Sequence, residues 1–224
     1  MHPHSWRTLR TVAVLLVLLA PSVLSAEENQ WEKTIAGFEA KDAANPPAKN
    51  GILFYGSSSI RFWKTDEAFP DLHILNRGFG GSQASDALLY ADRMVIKYEP
   101  RLVVFYEGDN DLSYNKTPQQ VFADTKAIFE KVHAALPKTK FIYVSIKPSI
   151  ARWNLIDQVR ETNKLVRDYA ATTDYIRFFD VEPVMLGPDG KPKPDIFMPD
   201  NLHLNDKGYA LWNDLIRPML TDGK

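Results

Sequence analysis

Three features of the 224-residue sequence predict a doubly wound α/β fold, in three α/β/α layers around a five-stranded parallel sheet. Five short runs are apolar almost throughout, as strands buried on both faces are. Between them lie longer stretches whose apolar residues recur at helical spacing. The apolar runs also end in loops rich in Gly, Ser, Asp and Asn, at the strand edge where open α/β sheets carry their ligands.

The first 25 residues stand apart from this pattern. Arg7 and Arg10 precede an apolar run from Val12 to Leu19, and Val23 and Ser25 suit a signal-peptidase site. An export leader over 1–25 is expected, with a single domain over 26–224. The apolar run is shorter than the roughly 20 residues a membrane-spanning helix needs, so export to the periplasm or medium is expected rather than insertion.

Trp31, Ile35 and Phe38 then mark a helix packed outside the sheet and finished by Asn45-Pro46-Pro47. The first strand is Ile52-Leu53-Phe54-Tyr55, and it breaks at Gly56-Ser57-Ser58-Ser59. The second, His73-Ile74-Leu75-Asn76, runs into Arg77-Gly78-Phe79-Gly80-Gly81-Ser82. A helix from about Ser85 carries Leu88, Leu89, Val95 and Ile96. The third strand, Leu102 to Tyr106, breaks at Glu107-Gly108-Asp109-Asn110-Asp111. Thr117-Pro118-Gln119-Gln120 has the form of a capping box with proline at the first helical position. Phe141 to Ile146 forms the fourth strand and leads into Lys147-Pro148-Ser149 and on to Arg152 and Trp153. Tyr175 to Phe179 forms the fifth, ending at Asp180. An irregular, proline-rich stretch from Glu182 to Pro199 reaches Asp200-Asn201-Leu202-His203, and a last helix carries Tyr209, Trp212, Leu215, Ile216 and Met219.

Composition narrows the function. The chain has no cysteine, which excludes disulfides, a lipidated cysteine and a Cys-based zinc site. Removing the leader takes two of the 27 basic residues and none of the 28 acidic ones, leaving a net charge of −3. No basic stripe invites nucleic acid. The glycines after the second strand lack the G-x-G-x-x-G spacing of a dinucleotide loop.

Right-handed crossovers bring every strand's carboxyl end to one edge, so the first three loops and the Asp200–His203 loop should share a crevice. A serine there needs a base to take its proton. His73 and His133 fall on a strand and a helix, whereas His203 lies in a loop three residues after Asp200, close enough for the carboxylate to orient it. Acyl transfer also needs donors for the developing oxyanion. The serine turn, a glycine of the second loop and the Asn110 amide can supply them.

Gly56-Ser57-Ser58-Ser59-Ile60, Asn76-x-Gly78-x-x-Gly81, Gly108-Asp109-Asn110-Asp111 and Asp200-x-x-His203 together resemble the four ordered blocks of the SGNH (GDSL-type) hydrolases. The segments Asn76 to Gly81, Lys147-Pro148-Ser149 and Gly208-Tyr209 are similar to an exported bacterial branch related to the acetylhydrolases of platelet-activating factor. The resemblance implies a sheet of flavodoxin-like type and a triad of Ser58 as nucleophile, His203 as base and Asp200 as orienter. It also implies an oxyanion hole of Ser58, Gly81 and Asn110, with no cofactor and no metal. The family's Asp before the nucleophile is Ser57 here, so the motif alone leaves Ser57, Ser58 and Ser59 open, and Gly56 sets the register in favour of Ser58. Asp109 likewise stands where many members have another residue. The expected substrates are short acyl esters, with acetylated saccharides as candidates, because the chain is short for a lipase lid. An O-acetyltransferase using the same triad and a non-catalytic glycan-binding protein are the competing readings.

Overall fold

The computed structural model describes residues 29–221; the expected leader over 1–25 lies outside the described residues. Its centre is a sheet of five parallel strands, β1 (Ile52–Gly56), β2 (Ile74–Gly78), β3 (Leu102–Tyr106), β4 (Lys140–Val144) and β5 (Ile176–Phe179). Their order is β2-β1-β3-β4-β5. Gly56 pairs with Gly78 on one side and Tyr106 on the other, so the chain leaves β1, β2 and β3 at one level. After β1 the chain moves outward to β2, then returns across β1 to β3. Adjacent strands β1 and β3 therefore lead away in opposite directions, which opens a crevice at their carboxyl ends.

Side chains alternate along each strand and build two cores. Leu53, Tyr55, Val103, Phe105, Phe141 and Tyr143 face one layer, formed by helices α1 (Glu32–Ala44), α4 (Ala84–Met94), α6 (Pro118–Ala135) and α7 (Ile156–Ala170). Phe54, Val104, Tyr106, Ile142 and Val144 face the other. That layer holds the short helices α2 (Ser58–Arg61), α3 (Thr65–Ala68) and α8 (Glu182–Met185) and the long α9 (Asp206–Thr221). Both layers are shut to water, as doubly wound sheets require, and burying a side chain such as Phe105 contributes about 1.5–3 kcal/mol. The remaining helix, α5 (Asp109–Ser113), packs Leu112 against Val121, Ile146 and Val159 in a small third cluster.

Local chemistry explains most element boundaries. Thr117 and Gln120 form the expected capping box at the start of α6, with Pro118 in the first turn. Helix α4 differs from its expected stripe: Ala84, Ala87, Tyr90, Ala91 and Met94 face the core while Leu89 is exposed. Alanines at that spacing let the helix settle close to the sheet, and Val95 and Ile96 fall beyond its end. Strand β2 runs on to Gly78 because the edge of β1 continues to pair with it. The stretch after Asp180 contains α8 and a short 3-10 turn at Pro194–Ile196 rather than loop alone. Asp180 itself accepts a bond from Arg167, 2.8 Å away.

Candidate active site

The turn after β1 needs glycine at position 56. Its φ is +135°, and a Cβ there would stand 1.9 Å from the Tyr106 carbonyl oxygen of the neighbouring strand. The Ser57 N–H donates to that same oxygen at 3.1 Å, which carries the pairing one residue past the strand. Ser57 is thereby buried, and Ser59 is buried two residues further on, leaving half-buried Ser58 at the start of α2. Of the three serines it is Ser58 whose Oγ lies 3.0 Å from His203 Nε2.

His203 is held from two sides. Its Nδ1 is 2.6 Å from Asp200 Oδ2, and the other oxygen, Oδ1, accepts the backbone N–H groups of His203 and Leu202 at 3.0 Å each. Partial burial pushes the Asp200 carboxyl up, but the His203 ring and the two amides outweigh it and hold the group at about 2. An ionised Asp200 has no proton to share, so the hydrogen in that contact sits on Nδ1. In the neutral imidazole Nε2 is then the acceptor facing the Ser58 hydroxyl. The loop is fixed as well: the Met198 N–H donates to the His203 carbonyl at 2.8 Å, and Phe62 sets its ring edge-on to the imidazole at 5.0 Å. Asn205 Oδ1 accepts from the Gly208 N–H at the start of α9. The other two described histidines are elsewhere. His133 stacks flat on Tyr175, and His73 occupies a left-handed turn before β2.

The loop after β2 lies against the nucleophile. Asn76 Nδ2 donates to the Ile60 and Trp63 carbonyls, tying β2 to α2. A Cβ on Gly80 would come within 3.5 Å of Ser58 Cβ. Gly81 follows in the left-handed region, φ +87°, under the Trp31 ring of the first turn around α1. The loop after β3 grips this second loop at three points. Asn110 Nδ2 donates to the Ser82 carbonyl at 2.9 Å. The Asp111 carboxylate accepts the Ala84 N–H at 3.1 Å and pairs with Lys116. The third contact joins side chains: Ser82 Oγ lies 2.6 Å from Glu107 Oε1 and 2.8 Å from the Phe79 carbonyl.

One hydroxyl proton cannot serve both of those acceptors. The carbonyl can only accept, so the Ser82 proton goes there and the proton between Ser82 and Glu107 comes from the carboxyl. Glu107 is fully buried, its Oε2 has no partner, and burial together with the nearby Asp111 charge pushes its carboxyl well above the usual range. Burial, the unpartnered Oε2 and the two acceptors facing one hydroxyl all favour the neutral form of Glu107 under the glycine loop.

A further group was not singled out as functional by the sequence. Asp109 is buried between two cations: Lys147 Nζ donates to its Oδ2 at 2.9 Å, and Arg152 Nη1 lies 3.4 Å from the same oxygen. Burial raises the Asp109 carboxyl, but these two charges outweigh it and leave it below its ordinary value. Arg152 Nη2 also donates to Asn110 Oδ1 at 3.0 Å. A lysine and an arginine just beyond β4, facing an extra acid beside Asn110, were the only sequence signal for this contact.

Beside Gly80 and Arg61 a groove of about 590 Å³ runs between α1 and the α2–α3 segment, bordered by Trp31, Phe38 and Trp63. Among the described residues no helix is long and apolar enough to cross a membrane.

Residues 58–211 match the GDSL-like lipase/acylhydrolase family. No curated protein matches the chain in sequence. Solved structures share its fold. A Streptococcus pneumoniae protein described as a platelet activating factor is 22% identical, with a TM-score of 0.76 over 84% of this chain and 92% of its own. A GDSL-like lipase from Bacteroides thetaiotaomicron is 21% identical, with a TM-score of 0.72 over 85% and 98%. A family 3 carbohydrate esterase from Talaromyces cellulolyticus is 17% identical, with a TM-score of 0.60 over 76% and 95%.

Proposed function

The chain belongs to the GDSL-like lipase/acylhydrolase family of carboxylic ester hydrolases, and from that premise we propose that it is a serine esterase working through an acyl-enzyme on Ser58. The observation that carries this reading is the continuous line of contacts from Ser58 Oγ to His203 Nε2 and from His203 Nδ1 to Asp200. Ser58 Oγ attacks the ester carbonyl carbon as His203 Nε2 takes its proton, and the Asp200 carboxylate stabilises the imidazolium so formed. The negative charge that builds on the carbonyl oxygen is met by the N–H groups of Ser58 and Gly81 and by Asn110 Nδ2. The tetrahedral intermediate collapses when His203 returns its proton to the departing alkoxide, releasing the alcohol and leaving the acyl group on Ser58. Water then attacks the acyl carbon with His203 again as base, and the carboxylic acid leaves. No step calls on a cofactor.

The substrates so proposed are esters of short acyl groups, acetyl foremost, with an acetylated saccharide as the alcohol portion. The support is that the described residues carry no lid-sized insertion, and that a nearby groove mixes aromatic rings with polar and charged groups, Lys33, Lys41 and Arg61 among them. The family 3 carbohydrate esterase among the structural neighbours points the same way. The leader read in residues 1–25 would place this chemistry outside the cytoplasm, on glycans of the envelope or medium. The test is hydrolysis of p-nitrophenyl acetate, butyrate and laurate by the wild type, Ser58→Ala and Ser57→Ala. Acetate should be turned over fastest, Ser58→Ala should lose the activity and fluorophosphonate labelling, and Ser57→Ala should keep part of both. A preference for laurate, or labelling that survives Ser58→Ala, would sink the reading.

A further inference from the structure

An Asn carboxamide can donate to an oxyanion only when its nitrogen edge faces the reacting oxygen, and a rotation of 180° replaces that donor with a repelling carbonyl. Here both ends of the Asn110 carboxamide are specified. Its Oδ1 accepts from the Arg152 guanidinium, which has no acceptor to offer, and its Nδ2 donates to the Ser82 carbonyl, which has no proton to offer. The flipped amide would lose both bonds. The Ser82 contact uses one of the two Nδ2 hydrogens and leaves the other for substrate.

Arg152 is itself anchored. Asp109, one residue before Asn110, holds Nη1 at 3.4 Å while Nη2 reaches Asn110, so the guanidinium spans two successive residues at the start of α5. Lys147, almost wholly buried, braces the same Asp109 oxygen from the other side. The guanidinium presents its charge directly to Asn110 Oδ1 in a largely buried setting, where its field is little screened.

We infer that Arg152 is a positioning residue for oxyanion stabilisation: recruited by Asp109, it locks the Asn110 carboxamide with its nitrogen edge toward the substrate and polarises the free N–H. Asp109, the departure from the family's usual block, thus serves as the anchor for this arginine rather than as an acid in the crevice. The inference rests on the serine-esterase reading above. An arginine acting through Asn110 cannot matter more than Asn110 itself, which separates this role from direct substrate binding and from plain structural support.

The experiment is a double-mutant cycle with p-nitrophenyl acetate on the full mature chain: N110A, R152A and N110A/R152A, with R152K and S58A alongside. Loss of an oxyanion donor in N110A should lower kcat by about 100- to 1000-fold. R152A should lower kcat by about 10- to 100-fold with KM changed less than about threefold, and less than about threefold further in the N110A background. R152K, which keeps a charge by Asp109 but not the two-pronged reach, should recover only part of kcat. It is read in the same cycle if R152A does not fold. Equal losses from R152A with and without Asn110 would overturn the inference, as would a rise in KM at constant kcat. Turnover surviving S58A defeats the esterase reading and this inference with it, whereas an inactive S58A with additive losses at 110 and 152 defeats the inference alone.

Discussion

Glu107→Gln should make the protein progressively more stable than the wild type as pH rises. Unfolded, a glutamate releases its proton near pH 4.5; folded, Glu107 keeps it to higher pH, because burial and the charges of Asp111, Asp109 and Asp86 oppose ionisation. Between those two points the native state binds one proton more than the unfolded state, so stability falls with rising pH. The slope for one proton is about 1.4 kcal/mol per pH unit. Over the range above pH 4.5 in which the folded protein keeps this proton, the wild type should thus lose stability at that slope while the glutamine variant, with no proton to release, does not. The neighbouring acids are common to both proteins and largely cancel in the difference. At pH 5 the two should lie within about 1–2 kcal/mol, since the glutamine amide can donate to Ser82 Oγ as the carboxyl does, with one N–H left unpaired. Urea unfolding of both proteins at pH 5, 6 and 7 measures the gap. A gap that stays constant, or that widens in favour of the wild type, would refute a neutral Glu107 under the glycine loop.

Two further outcomes follow from the site. Asp200→Asn should lower kcat by about 100- to 10,000-fold with the fold intact, because an amide nitrogen facing Nδ1 favours the tautomer whose proton points at Ser58; steady-state kinetics at neutral pH check it, and a loss below about tenfold counts against Asp200 as orienter. Gly56→Ala should destabilise the chain by on the order of 4 kcal/mol, as its Cβ would overlap the Tyr106 carbonyl at a positive φ. Denaturant unfolding reads that cost, and one under about 1 kcal/mol would mean the turn after β1 is not held as described.

Much of this molecule could be read from local pattern. The continuous apolar runs at Ile52–Tyr55 and Leu102–Tyr106 could satisfy themselves only inside a covered parallel sheet, and the Thr117–Gln120 box marked the start of its helix. Chain order also put the loops bearing Ser58, Gly81 and Asn110 on one edge, since parallel strands with helical returns leave no other arrangement. Local pattern misled where two faces of a helix were both plausible: Leu89 lies in the helix but points to solvent, because alanines opposite it fit the sheet more closely.

What the sequence by itself determined, then, is the layered fold and the set of residues able to do acyl chemistry, because strand and helix periodicity and the order of loops are properties of neighbours along the chain. The reach of Ser58 Oγ to His203, a serine the Gly56 register had already favoured, the proton that Glu107 keeps, and the inward turn of Asp109 that holds Arg152 against Asn110 belong to tertiary structure. These depend on distances of 3.0 Å between Ser58 and His203 and 2.6 Å between Ser82 and Glu107, across 145 and 25 residues of chain. Hydrogen bonds and buried charges change character over an ångström, and no spacing in a sequence records a separation that fine.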